Sequence, residues 1–258
     1  MDSVFIQTLQ NKIDWLNYVI FDFKWIYFDL WSLVTLWSGA LLFVIISALK
    51  IKKRWHVLLS LLVIAQIAQD TYPNTVPDMY WLTKLISTAN DLSIGMLGGF
   101  LMYSFFNWNK GRRYSLWLAT FMSAITIAFI WVGTYGYSYN IAFFNSPAIN
   151  WWAFTCWTLS GAIMLTAYQL FKRKMRPIFA AFTIWAIYIA ILLTLEYLAF
   201  HVFTFQEATQ GTTALIFDVI HGRPEMHVFY TTSTFIFVSM FATLSTIFKR
   251  YDRVALPA

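Results

Sequence analysis

The chain of 258 residues is 59% hydrophobic and 20% aromatic, whereas only 12% of its residues are Asp, Glu, Lys or Arg. A charged fraction about half that of an ordinary soluble domain excludes a water-soluble globular protein, and the abundance of apolar residues excludes intrinsic disorder. The single Cys156 cannot form an internal disulfide or a thiolate-rich metal site. These features indicate a protein that resides in a lipid bilayer.

The N-terminal segment 1–24 is predicted to be an amphipathic helix that lies on the outer membrane surface. Its apolar residues recur every three or four positions, at Ile6, Leu9, Ile13, Leu16 and Ile20. We expect this outer segment to be followed by a single transmembrane domain over residues 25–250. A short cytoplasmic tail over residues 251–258 would complete the chain.

Seven segments contain the roughly 20 mostly apolar residues that a helix needs to cross a bilayer. They are residues 25–49, 55–72, 85–106, 114–136, 149–171, 178–201 and 228–248. The predicted fold is therefore all-α, a polytopic membrane protein with seven transmembrane helices, placed in the cell membrane or an inner membrane.

The basic residues predict the orientation of these helices. Clusters of Lys and Arg follow the first, third, fifth and seventh segments and contain 14 of the 18 basic residues. By the positive-inside rule these ends are cytoplasmic, so the N-terminus is outside and the C-terminus is inside. Asp252 alone among the 12 acids falls on the inner side. The net charge of +6 thus reflects topology, and it gives no indication of a nucleic-acid partner.

An ionisable group within a membrane helix costs free energy and is by default a candidate functional residue. Asp91 lies in the third segment, on one helical face with Ser87, Gly95 and Gly99. The spacing of Gly95 and Gly99 is also typical of close helix packing. The sequence leaves both interpretations of this face open, a functional carboxylate and a packed interface.

Other polar residues gather toward the outer ends of the spans. Asp70 ends the second segment, whereas Glu196 and His201 lie near the end of the sixth. An interfacial position reached by water would explain them equally well, and many of the nearby Trp and Tyr residues would then form an aromatic belt.

The densest group of reactive side chains precedes the seventh span, between Asp218 and His227. Together with His201, residues His221, Glu225 and His227 offer nitrogen and oxygen ligands of the kind that Zn²⁺, Fe²⁺ or Cu²⁺ bind. Their spacing matches no established closed metal motif. A metal site formed by these residues is therefore one alternative for this segment, and the identity of any cofactor stays open.

The region from Glu196 to Phe235 resembles the repeat of membrane-integral lycopene cyclases, in which an acid ends one helix and a proline followed by acids and aromatics opens the next. The resemblance is carried by Glu196 and by the sequence RPEMHVFY at residues 223–230, and the run WVGTYGYS at residues 131–138 echoes it. This chain departs from the pattern at Met226, which replaces a second acid, and at residues 150–152, which are Asn, Trp and Trp.

The resemblance implies acid catalysis on an isoprenoid-like, lipid-soluble substrate. A carboxylic acid would protonate an alkene, and aromatic faces would stabilise the carbocation. The implied acids are Asp91, Glu196 and Glu225. The implied substrate-binding residues are the aromatics Trp131, Tyr135, Tyr137, Trp151 and Trp152. Asp70 is a further candidate substrate-binding residue, because it lies near the outer end of the second span. This chemistry requires no cofactor.

Two further functions remain open at this stage. Asp91 and Glu196 would carry protons or bind a cation in a coupled transporter. The chain would instead be a non-catalytic subunit if its outer loops presented a large apolar surface to a partner within a membrane complex. The sequence does not decide whether the protein is an enzyme. In each case the lipid bilayer is an expected partner, and the enzyme would also bind a hydrophobic small molecule.

Overall fold

The computed structural model describes residues 14–23, 26–70, 81–108, 114–205, 214–215 and 219–255. For residues 21–23, 26–27, 69–70, 81–84, 108, 214–215 and 252–255 it describes the backbone alone. Within these ranges the chain forms seven α-helices. They are α1 (Leu30–Ala48), α2 (Arg54–Asp70), α3 (Trp81–Trp108), α4 (Ser115–Tyr135), α5 (Trp151–Phe171), α6 (Pro177–Tyr197) and α7 (Pro224–Ala255).

Each of the seven predicted spans overlaps one of these helices, and the third and seventh helices extend beyond the predicted bounds at both ends. Five of the described helices have segments long and apolar enough to cross a membrane: Leu30–Ala48, Leu85–Asn107, Ser115–Tyr135, Pro177–Val202 and Pro224–Tyr251. Helix α2 provides a shorter apolar stretch over Arg54–Ala68. Helix α5 has 21 residues, and Thr, Ser, Tyr and Gln side chains lower its hydropathy. The architecture is that of a helical, multi-pass membrane protein.

The N-terminal prediction is wrong over the residues that the structure describes. Asp14–Asn17 forms a short 3-10 helix, and β1 (Val19–Phe23) pairs antiparallel with β2 (Ile26–Asp29). The apolar residues of this region are aromatic or β-branched, types that favour strands over helices. Residues 1–13 lie outside the described part of the chain.

The first membrane helix begins at Leu30, five positions later than predicted, because Asp29 caps it. The Asp29 carboxylate accepts a hydrogen bond from the Ser32 backbone N–H at 2.7 Å, and the Ser32 hydroxyl accepts one from the Asp29 N–H at 3.3 Å. This reciprocal pair is a capping box, which satisfies amide groups that the first helical turn leaves unpaired.

The chain divides into two compact units. Among the described residues, the three-helix unit comprises those within 16–116, with helices α1 to α3, and those from Thr246 to Ala255. The four-helix unit comprises the described residues within 117–245 together with Asp14 and Trp15. A second short strand pair, β3 (Ala214–Leu215) with β4 (Ile220–His221), belongs to the four-helix unit.

Glycines set the packing of the three-helix unit. A Cβ on Gly39 of α1 would overlap the backbone of Gly95 in α3, and a Cβ on Gly98 would overlap the carbonyl oxygen of Leu36. Helices α1 and α3 therefore cross at backbone contact, as small residues permit in membranes. The other face of α3 packs on α2, where Gly99 faces the Leu58 side chain. These contacts support the packing interpretation of the glycines.

Candidate functional site

The register of α7 determines which side chains face the interior of the four-helix unit. Residues at three- and four-residue spacing are buried along one stripe: Met226, Phe229, Tyr230, Ser233, Thr234, Phe237 and Phe241. This spacing puts them on one helical face, which packs against α4, α5 and α6. The close approach of α5 depends on Gly161, because a Cβ there would press on the Phe237 ring.

A carboxyl group and a phenol meet on this buried face. The Tyr230 hydroxyl donates a hydrogen bond of 2.9 Å to Glu196 Oε1, joining α7 to α6. Glu196 is half-buried and Tyr230 is buried. The buried Tyr188, about two turns earlier on α6, also interacts electrostatically with the carboxylate. Glu196 is thus an acid within a candidate membrane span that has a defined hydrogen-bond donor.

A second hydrogen-bonded centre forms around the Tyr137 hydroxyl. It accepts hydrogen bonds from the indole N–H of Trp131 at 2.9 Å and from that of Trp157 at 3.0 Å. The chain reaches this position because Gly136 adopts a positive φ of 72°, which ends α4 and is readily adopted by glycine. Tyr137 thereby links α4 to α5.

Aromatic contacts connect the two centres. Trp157 packs against Tyr230 with ring centroids 5.5 Å apart. Trp131 stacks on Phe229 at 3.9 Å with an interplanar angle of 11°. We call the set Trp131, Tyr137, Trp157, Glu196, Phe229 and Tyr230 the Glu196 cluster. It contains one carboxyl group, two phenols and two indoles in the interior of a single compact unit.

Arg223 binds the end of α4 next to this cluster. Its guanidinium donates a hydrogen bond to the Tyr135 carbonyl oxygen and lies 4.3 Å from the Tyr135 ring centroid. A cation at a helix C-terminus pairs with an otherwise unsatisfied carbonyl and complements the helix dipole. The guanidinium also occupies a face of the Tyr135 ring, so Arg223 has a capping role within the reactive segment noted from sequence.

The structure brings together some of the predicted site residues. Trp131, Tyr135 and Tyr137 lie with Glu196 in the four-helix unit, whereas Asp91 belongs to the three-helix unit, where its side chain is half-buried. Glu225 is exposed in the first turn of α7. The side chains of Asp70 and Asp218 lie outside the described residues.

Trp151 and Trp152 lie in a separate aromatic group at the start of α5. Trp152 contacts Phe144 at a centroid distance of 4.7 Å, and Trp151 contacts Phe143 at 5.8 Å. These two tryptophans are the first residues of α5, and their rings contact Phe143 and Phe144 of the preceding loop and each other.

The histidines do not form the predicted metal centre. His221 stacks on Phe200 at 3.5 Å, and its ring centroid lies 6.1 Å from that of His201. Across the residues that the structure describes, no group of three or more His, Cys, Asp or Glu is placed to hold a metal ion. His227 and Glu225 instead occupy the first turn of α7.

Trp157 of the cluster and the neighbouring Tyr188 were not named from sequence, and Phe229 and Tyr230 were named only within the run RPEMHVFY and not as site residues. The spacing of apolar residues from Met226 to Phe241 carried a usable signal, because it marks the buried face of α7. No sequence pattern indicated that these aromatic residues lie close to Glu196, because that proximity depends on how α5, α6 and α7 pack.

Comparisons with protein-family models, curated proteins and solved structures gave no match to this chain.

Proposed function

We propose that the chain is a seven-span integral membrane protein of the cell membrane or an inner membrane, with its N-terminus outside and its C-terminus cytoplasmic. Seven described helices coincide with the seven predicted segments, and the positive-inside rule gives the orientation. Reporter fusions after Lys110, Lys174 and Arg250 are expected to be active on the cytoplasmic side. A fusion after Ser146 is expected to be active outside, and the reverse pattern would contradict the orientation.

The proposed activity is acid catalysis on a lipid-soluble, isoprenoid-like substrate, with Glu196 as the acid. The observation that carries this proposal is the hydrogen bond from Tyr230 to Glu196, on a buried helix face where aromatic and aliphatic side chains predominate and the other polar groups are the neutral hydroxyls of Ser233 and Thr234. In its protonated form the Glu196 carboxyl group would give its proton to an alkene, and the Tyr230 hydroxyl would stabilise the carboxylate that this transfer leaves. The resemblance to lycopene cyclases supports the same substrate class.

The proposed step balances without a cofactor. The Glu196 carboxyl proton forms a new C–H bond with an alkene carbon, leaving a carbocation on the substrate and a carboxylate on the protein. A second double bond attacks the carbocation to close a ring, and the loss of a proton from the ring regenerates an alkene. That proton returns to the carboxylate, so the product is an isomer of the substrate.

The aromatic residues proposed to face such a carbocation are selected by the contacts that their rings already make. One face of Tyr135 is occupied by Arg223, and Trp131 is stacked on Phe229. Trp157 packs directly on the tyrosine that binds Glu196. We therefore assign the stabilising role to Trp157 and Tyr230, through the attraction between a cation and an aromatic face.

Mass spectrometry of organic extracts from the purified protein tests the proposal. We expect an isoprenoid to co-purify with the wild type in mild detergent and to be lost from a Trp157→Ala variant. The exposed Trp117, changed to Ala, is the matched control and is expected to retain the ligand. Absence of any isoprenoid from the wild type, together with Glu196-dependent proton flux in proteoliposomes, would favour a transporter over an enzyme.

A further inference from the structure

The loop between α4 and α5 lies in a stretch of sequence that has no charge. Between Arg113 and Lys172 the chain contains no Asp, Glu, Lys, Arg or His. This interval includes helices α4 and α5 and also the whole irregular segment 136–150 that joins them. Charges are strongly favoured on loops that project into water and are costly at membrane depth, so the composition of this loop resembles that of a membrane segment.

The polar side chains of the loop bind the loop itself. The Asn145 amide accepts a hydrogen bond from the Tyr139 N–H at 2.8 Å and donates one to the Tyr139 carbonyl at 2.7 Å. The Ser146 hydroxyl donates to the Ile149 carbonyl, and Asn150 caps α5 by accepting from the Ala153 N–H at 2.9 Å. Irregular backbone is tolerated near a bilayer when its polar groups are satisfied by protein.

The segment that follows α6 is joined to this loop. Asn140 donates a side-chain hydrogen bond of 2.9 Å to the Thr204 carbonyl oxygen, and Thr204 adopts a positive φ of 51° that is unusual for a β-branched residue. Phe205 then stacks on Tyr139 with centroids 4.6 Å apart. We call residues 136–150 and 203–205 the uncharged cap.

Apolar side chains of the uncharged cap are directed outward. Phe143 is 73% exposed and Phe203 is 69% exposed, values that stand out because both residues lie outside the α-helices. Leu195 and Leu198 are also exposed, and they lie near the end of the apolar segment Pro177–Val202 that directly precedes Phe203. The uncharged cap is thus continuous with a helix surface that would face lipid.

We propose that the uncharged cap is seated in the lipid–water interface of the bilayer, with Phe143 and Phe203 inserted among the lipids. The position of the cap supports lipid as the occupant, because it directly follows the candidate spans that end at Tyr135 and Val202. Aromatic side chains concentrate at this depth. The loop would then be a membrane-anchoring surface, and Asn140 would hold its two parts together.

Spin-label accessibility in proteoliposomes tests the placement. Cys156 is the sole cysteine and is exposed, so a Cys156→Ser background permits single labels at Phe143→Cys and Phe203→Cys. We expect each label to collide with oxygen, which partitions into lipid, more often than with a water-soluble nickel chelate. The oxygen-to-nickel ratio should exceed that of the control Lys174→Cys severalfold, because Lys174 lies in an exposed basic turn.

Two outcomes would overturn the proposal. An oxygen-to-nickel collision ratio at both positions as low as that at Lys174 would show that the cap is exposed to water. Exclusion of both reagents from both labels would show that protein covers the cap, as expected for a subunit of a larger complex. Both substitutions replace exposed side chains, and gel filtration of the labelled variants in detergent confirms that they fold before the collision rates are compared.

Discussion

Replacing Gly98 by alanine tests how closely α1 and α3 cross in the three-helix unit. The new Cβ would overlap the Leu36 carbonyl oxygen and would lie 2.9 Å from the Leu36 carbonyl carbon and 3.1 Å from the Ala40 nitrogen. All three atoms are backbone, so the helices themselves must separate. Overpacking costs about 1–3 kcal/mol, and we take about 3 kcal/mol because backbone cannot rotate away. Alanine regains about 1 kcal/mol of helix propensity.

The expected net loss is therefore about 2 kcal/mol, which corresponds to a fall of about 4–8 °C in Tm for a chain of this size. Gly99→Ala is the matched control, because the nearest atom to its Cβ would be the end of the Leu58 side chain at 2.6 Å, while Trp55 and Phe43 side-chain atoms would lie at ordinary contact distances of 3.4 and 3.5 Å. That methyl group can rotate, so the control is expected to keep its Tm within about 2 °C. Unfolding followed by intrinsic tryptophan fluorescence in detergent measures both. Equal Tm values for the two variants would refute the backbone contact.

Three further changes probe the four-helix unit. Tyr137→Phe removes the oxygen that accepts hydrogen bonds from two indole N–H groups. It should lower the free energy of unfolding by about 2 kcal/mol in the same assay, whereas the exposed Tyr197→Phe should leave it unchanged. Equal losses of stability in the two variants would contradict the hydrogen-bond network. Asn150→Ala removes the N-terminal cap of α5 and should lower the stability by about 1 kcal/mol. The loss should appear as faster amide hydrogen exchange in the first turn of α5, and unchanged exchange would contradict the capping role. Arg223→Gln loses the cation over Tyr135 and should cost about 0.5–1 kcal/mol; a variant as stable as the wild type would show that the charge contributes nothing.

The positions of the helices were predictable because hydropathy acts locally. A run of roughly 20 apolar residues is stable in lipid only as a helix, since every backbone polar group must be paired within the segment. Each predicted span accordingly overlaps a described helix. Topology in the bilayer remains a prediction that rests on the distribution of Lys and Arg.

The start of the first span shows what hydropathy does not detect. Residues 25–29 are apolar enough to extend the helix, yet Ile26–Asp29 forms a strand. The capping box of Asp29 and Ser32 is visible in the sequence and marks the true beginning of α1. Apolar periodicity at the N-terminus was a weaker guide, because the aromatic and β-branched residues at 19–23 also suit a strand.

The glycines illustrate the limit of a motif. Gly95 and Gly99 predicted close packing, and both face leucine side chains of α2. Gly98, which is outside that pair, contacts the α1 backbone at Leu36, and the Gly95 backbone lies against Gly39 of α1 as well. The motif identifies a helix surface that tolerates close approach, but the partner of each glycine depends on how three helices pack.

The candidate site was predictable only in part, for a related reason. Glu196 stood out because an acid is rare within an apolar helix. Tyr230 donates to it from 34 positions further along the chain, and no local pattern reports such a contact. Glu225 was predicted from its dense sequence neighbourhood, yet it lies exposed at the start of α7 while its neighbour Met226 is buried.

The most direct test of the proposed acid is turnover in heavy water. Proteoliposomes in D₂O are supplied with lycopene or squalene, two acyclic isoprenoids, and the products are analysed by mass spectrometry. The Glu196 carboxyl group exchanges its proton with D₂O between turnovers, so each cyclisation event adds a deuteron and loses a proton. The wild type is therefore expected to form a cyclised isomer that is one mass unit heavier for each protonation that starts a cyclisation. Glu196→Gln should abolish this product while the exposed Glu225→Gln retains it. Cyclisation that persists in Glu196→Gln, or no cyclisation of either isoprenoid by the wild type, would contradict the account.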